Sequence, residues 1–140
     1  TSSNIASVQS DESTVTLVSS QRSSVMSNLR NMANAVKACF DLAGAEVIQN
    51  DGYPAWKMNA DSELQRIAIQ EYKKLFGYDP KVLGIHAGLE CGLFSEKYPG
   101  IDMISFGPTL RFVHAPGEKL DLASLEKFTE HLIDVVTTFE

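Results

Sequence analysis

A chain of 140 residues holds one ordinary domain or pieces of two, and 44% hydrophobic with 21% charged residues is a globular composition rather than a disordered one. The net charge of -6 supplies no basic stripe for phosphates, which argues against nucleic acid as a partner. No run approaches the roughly 18 apolar residues of a membrane span, no signal-peptide pattern is present, and two cysteines are too few for a disulfide framework, so the expectation is a cytoplasmic protein with no membrane partner.

In chain order, "SNIASVQ" and "STVTLVSS" read as two short strands around the polar turn Ser10, Asp11, Glu12, Ser13, a hairpin pattern. A helix is predicted over 23–42, because Val25, Leu29, Met32, Val36 and Cys39 recur at steps of three and four; Gly44 stops it. "AEVIQN" (45–50) reads as a third strand ending at Asp51 and Gly52. "DGYPAWKMNAD" has turn chemistry and two large aromatics, and is taken as a connection between two units. Ser62 and Gln65 have capping-box spacing before a helical stripe of Leu64, Ile67, Ala68, Tyr72, Leu75 and Phe76 that closes at Gly77. "KVLGIHA" (81–87) is a continuous apolar run, as for a strand buried on both faces, and "IDMISFG" (101–107) is another. Asp121 caps a last helix with the core face Leu125, Phe128, Leu132, Val136 and Phe139. Helix, strand, short helix, strand, helix is the grammar of one edge of a layered α/β sheet. The first 52 residues look instead like a small α+β unit with an antiparallel sheet.

The densest chemistry is "GIHAGLECG" (84–92). Glu90 and Cys91 follow a predicted strand, where ligands gather in open α/β sheets. Gly88 and Gly92 would let the backbone bring Glu90 close to a ligand. A glycine-rich turn with an exposed carboxylate explains the spacing as well. Cys91 as a nucleophile needs a base, for which His86 or His114 is available. A lone cysteine before Gly-Leu-Phe is more often simply buried. His114, in "RFVHAPGE", lies on a loop stiffened by Pro116, where a metal ligand, a general base and an ordinary solvated histidine are all open. His86 falls in a predicted buried strand, which favours a hydrogen-bonded core role. His131 lies among charges on a helix and is expected to be solvated. No metal-site spacing is complete, and a catalytic zinc needs about three protein ligands.

"GIHAGLECGLF", "YPGIDMISFGPTLR" and "HAPGE", with "GYPAWKMNADSEL" and "QRSSVMS" in the same order, resemble the C-terminal part of the aminoacyl-histidine dipeptidases. These Xaa-His dipeptidases, or peptidase D, are related to carnosinases and other co-catalytic zinc exopeptidases. The resemblance covers nearly the whole chain and is most specific over 52–118. It implies an α/β fold: the C-terminal part of a layered zinc-exopeptidase catalytic domain (53–140), preceded by part of an α+β, ferredoxin-like lid or dimerisation domain (1–52). The family's chains are several times longer, so this sequence is expected to be the C-terminal portion of such an enzyme.

Residue by residue, the resemblance makes His114 the family's last metal ligand. It makes Glu90 the glutamate that contacts the substrate's amino end, where an anion opposite an ammonium is apt. Arg22 matches a lid arginine that binds the substrate's carboxylate, a task suited to a guanidinium fork, and Asn4 occupies a lid position that helps in it. The remaining ligands and the general-base glutamate lie upstream in the family, so no catalytic residue is expected in this chain. The cofactor implied is a pair of divalent ions, zinc by default, with cobalt or manganese as alternatives. Three positions depart from the pattern. Phe112 stands where relatives usually have a small residue, Gly117 where aspartate is common, and Met26 replaces a frequent aspartate. Phe112 beside His114 would narrow the pocket and bears on substrate preference.

The function expected is hydrolysis of Xaa-His-type and other unblocked dipeptides by a metal-activated water, in a homodimer, with this fragment alone inactive. The alternatives are a non-catalytic binding or dimerisation module of the same fold and, weakest, a cysteine hydrolase using Cys91. Upstream histidine and acidic clusters would separate the first from the second, and alkylation of Cys91 would test the third.

Overall fold

The computed structural model describes residues 1–50, 52–86 and 90–139. It has four helices and two small two-stranded sheets among these residues, a mixed α/β content that agrees with the fold class expected from sequence. The chain divides into two compact units, Thr1–Met58 with Leu83–Ile101, and Asn59–Val82 with Asp102–Glu140.

In the first unit, β1 (Ser2–Ser10) and β2 (Val15–Arg22) form the predicted antiparallel hairpin. The Asp11 carboxylate closes its turn by accepting from the amides of Ser13 and Thr14, both at 2.8 Å. This is the local bonding for which aspartate is favoured in turns. Those amide bonds, Ser13's first, hold the Asp11 carboxyl below its usual range. The register runs Ser2 to Arg22 and Asn4 to Ser20, then shifts between Ile5 and Ser7. Ala6 is thus the extra residue of a bulge. Because side chains alternate with period two, the shift carries Val8 onto the same face as Ile5, Val15 and Leu17. Ser2, Asn4, Ser20 and Arg22 share the opposite face.

α1 (Met26–Leu42) follows, packing on β2. Val25, Leu29, Met32 and Val36 are half-buried as predicted, but Cys39 is exposed, and Phe40 continues the covered stripe in its place. Met26 turns its Sδ to the amide of Ala55, 3.1 Å away. α3 (Glu90–Lys97) is the short helix expected between the two apolar runs. Gly92 is buried in it, and a Cβ there would collide with the carbonyl oxygen of Pro54. This glycine therefore lets α3 pack closely against the backbone at Pro54. Gly88, expected with Gly92 to bring Glu90 close to a ligand, lies outside the described residues, as do Asp51 and Ala87 at the ends of two predicted strands.

The second unit rests on α2 (Glu63–Phe76) against α4 (Leu122–Thr138). Ser62 caps α2 by accepting from Gln65 N at 2.9 Å, and Gly77 ends it with φ 77°, both as the sequence predicts. Asp121 caps α4 through Ser124 N at 3.1 Å. Ile67, Ala68 and Val135 form the buried cluster, with Leu64 and Ile104 against it. The core face of α4 differs from expectation. His131 is buried, 7% exposed, whereas Leu132, Val136 and Phe139 are exposed. His131 donates from Nε2 to the carbonyl of Ala68 at 2.8 Å and sits between the rings of Tyr72 and Phe106, so α4 turns this edge to α2. A hydrogen-bonded imidazole tolerates that burial.

Three predicted strands, 45–50, 81–87 and 101–107, are not strands among the described residues, nor is a layered sheet present there. An apolar run becomes a strand only when another backbone pairs with it, and no such neighbour occurs among the described residues. A two-residue pair, β3 (Leu110–Arg111) with β4 (Lys119–Leu120), was not anticipated. No helix of the described residues is long and apolar enough to cross a membrane.

Asp102 ties α2 to the chain beyond it. Its Oδ2 accepts from Leu64 N at 2.9 Å, in the first turn of α2. That bond above all, with the Ser62 hydroxyl and the amides of Glu63 and Met103, holds the Asp102 carboxyl below its usual range. A depressed folded-state pKa contributes stability that is full above the unfolded value, about 3.9, and is lost as pH falls through the folded one. Asp102→Asn should therefore cost about 1 kcal/mol near neutral pH and flatten the acid limb of the stability curve. Urea unfolding of parent and variant in the full-length protein, from neutral pH down to about pH 3, checks this; parallel curves would contradict it.

Candidate functional site

The polar face of the β1–β2 hairpin lines an open cleft of about 360 Å³ with Ser2, Asn4, Ser20, Arg22, Ile85 and His86. The ladder pairs Ser2 with Arg22 and Asn4 with Ser20, so all four point the same way. Ser20 is half-buried, whereas Asn4 and Arg22 are exposed. The segment before α3 brings His86 to this face, where its Nε2 lies 3.0 Å from Ser2 Oγ. No described lining residue is acidic. A guanidinium, an amide, two hydroxyls and an imidazole form a donor-rich wall, and Ile85 provides an apolar patch.

The cleft brings together two of the four residues singled out in the sequence, Arg22 and Asn4. Glu90 lies in the same unit, exposed at the start of α3, but does not line the cleft. His114 belongs to the second unit. His86 corrects the sequence reading, being an exposed wall of a cleft rather than a core histidine in a strand. Ser2 and Ser20 were not anticipated, although two-residue periodicity from Asn4 and Arg22 leads to both. No sequence signal placed His86 beside them.

His114 sits in the turn between β3 and β4, exposed, with φ 63°. Phe112 has φ 57°, and Gly117 φ 88°. Left-handed backbone at a bulky Phe and a His is uncommon, and such strain concentrates where a turn must aim a side chain. The turn is fastened by Ala115 N to Phe112 O and Glu118 N to Ala115 O, both 3.1 Å, and by Glu118, whose Oε2 accepts from His114 N at 3.3 Å. Gly117 takes its positive φ at no steric cost, which an aspartate there would not. The turn's hydrogen bonds fix the backbone that carries His114. No group of three His, Cys, Asp or Glu that could hold a metal gathers among the described residues. These residues therefore do not make a zinc site by themselves, since a catalytic zinc takes about three protein ligands.

Cys91 is half-buried. Burial pushes its thiol up, partly offset by a backbone hydrogen bond, and the charge of the neighbouring Glu90 adds a smaller upward effect. A thiol raised in this way stays protonated at neutral pH, the reverse of what a nucleophile requires.

The chain is 32% identical over 136 residues to the cytosol non-specific dipeptidase of Escherichia coli (strain K12), covering 97% of this chain and 28% of that protein. It superposes on the crystal structure of the aminoacylhistidine dipeptidase from Vibrio alginolyticus with a TM-score of 0.76 and 36% identity, over 98% of this chain and 28% of that one. The chain thus spans little more than a quarter of the length of the relatives it matches. Residues 5–138 match the peptidase family M20/M25/M40, and the chain belongs to that family.

Proposed function

We propose that this chain is the C-terminal portion of a metal-dependent dipeptidase that hydrolyses unblocked dipeptides, including the Xaa-His type. The observation that carries the reading is the cleft, in which Arg22 and Asn4 converge on a donor-rich surface fit for a carboxylate. A dipeptide has two charged ends. Arg22 takes the terminal carboxylate in a two-donor fork, with the Asn4 amide beside it. Glu90 takes the terminal ammonium. These two contacts select free dipeptides by length and polarity. His114 supplies one imidazole to a metal pair, zinc by default, whose other ligands come with the general base from the longer chain. The chemistry supplied by the bound ions is activation of a water toward the peptide carbonyl.

Residues 1–52 are assigned to the end of a lid and dimerisation domain, and 53–140 to the catalytic domain. The apolar hairpin face of Ile5, Val8, Val15 and Leu17, all exposed here, is where the rest of a lid would pack. The runs 81–87 and 101–107 take their strand partners from the rest of the catalytic domain. The functional assembly is a homodimer. The location is the cytosol, as for the E. coli relative by its name. By itself the 140-residue chain is expected to be inactive.

His114→Ala in the full-length protein should lower bound metal and reduce turnover at least 100-fold, because it removes a ligand outright. Elemental analysis after dialysis, with dipeptide kinetics, tests this; normal metal content and turnover would make His114 an ordinary loop residue. Arg22→Lys keeps the charge but loses the fork. It should raise KM for free dipeptides about tenfold and for dipeptide amides far less. Equal shifts for acids and amides would remove Arg22 from carboxylate binding.

A further inference from the structure

We propose that His86 is a positioning residue for the substrate's terminal carboxylate, acting through the hydroxyl of Ser2; this rests on the reading of the cleft as the carboxylate site. Ser2 is the ladder partner of Arg22, so the two side chains leave the same face of the hairpin, and both line the cleft. The Nε2 of His86 is 3.0 Å from that hydroxyl oxygen. A serine hydroxyl has one hydrogen to give. If it goes to the imidazole, Ser2 turns lone pairs toward the cleft and repels an anion. If Nε2 carries the proton and donates to Ser2 Oγ, the Ser2 hydrogen is released to point into the cleft.

A carboxylate held by Arg22 selects the second arrangement. The result is a chain of donors, imidazole N–H to Ser2 Oγ and Ser2 O–H to the carboxylate oxygen, in which each bond polarises the next. His86 thereby adds a donor that the guanidinium fork does not supply. It does so without touching the substrate. None of the described residues that line the cleft is acidic, so none of them competes for these donors. Ile85, the residue before His86, is the apolar member of the same wall.

The test is made in the full-length enzyme with free dipeptides and their amides. His86→Leu should raise KM for the free acids about five- to tenfold with kcat within about twofold, and affect the amides much less. His86→Gln, whose side-chain amide can donate to Ser2, should recover most of the loss. Ser2→Ala, at an exposed position, should reproduce His86→Leu and carries the test if the histidine variant does not fold. The double variant should be no worse than either single one. Unchanged KM in His86→Leu and Ser2→Ala, with Arg22→Lys still discriminating acid from amide, would overturn the relay and leave the carboxylate site standing. Equal effects on acids and amides, a loss confined to kcat, or failure of glutamine to rescue would also overturn it. If Arg22→Lys does not discriminate either, the carboxylate reading falls and the relay falls with it.

Discussion

The antiparallel register of β1 and β2 is the constraint on which the site depends. One ladder decides which side chains face the cleft, because a slip of one residue would turn every polar group to the other face. The bulge at Ala6 keeps two demands compatible. It lets Ile5 and Val8, which are three apart, share an apolar face with Val15 and Leu17, and it leaves Ser2, Asn4, Ser20 and Arg22 together on the polar one. The Asp11 turn fixes the closing end of that ladder, where its carboxylate gathers two backbone amides. The make-up of the cleft wall is thus a property of pairing more than of any single residue.

Local signals were readable in the sequence, and those that need a distant partner were not. The hairpin, the Ser62 and Asp121 caps and the Gly77 stop depend on a few neighbouring residues, and each appears where the pattern puts it. The runs 81–87 and 101–107 are apolar enough for buried strands, yet strand pairing is a long-range property, and the described residues offer them no ladder. His131 looked solvated because its sequence neighbours are charged. Its burial is decided by Ala68, 63 positions away, whose carbonyl accepts its hydrogen bond. The face of Leu132, Val136 and Phe139, periodic but exposed, is the same case in reverse.

For the site, the resemblance named Arg22 and Asn4 and the geometry joined them, but nothing in the linear pattern brought His86 to Ser2 across 84 positions. The turn of His114 shows a different limit. Its positive φ at Phe112 and His114 has no glycine to announce it, so a strained turn passed as an ordinary loop. Gly117 is the one residue there whose conformational freedom the sequence could have disclosed. The departure at that position is therefore backbone chemistry first, a glycine where left-handed geometry is required.

The chain covers 28% of its relatives, and on the proposed reading it belongs to a longer dipeptidase whose peptide-bond hydrolysis depends on metal ions to which His114 contributes. The direct measurement is turnover of an unblocked dipeptide such as Ala-His by the full-length protein, before and after exhaustive chelation and after adding zinc, cobalt or manganese. The account predicts that activity disappears on chelation, returns with metal, and is insensitive to alkylation of Cys91. Full activity in the chelated protein, abolished instead by alkylating Cys91, would contradict it.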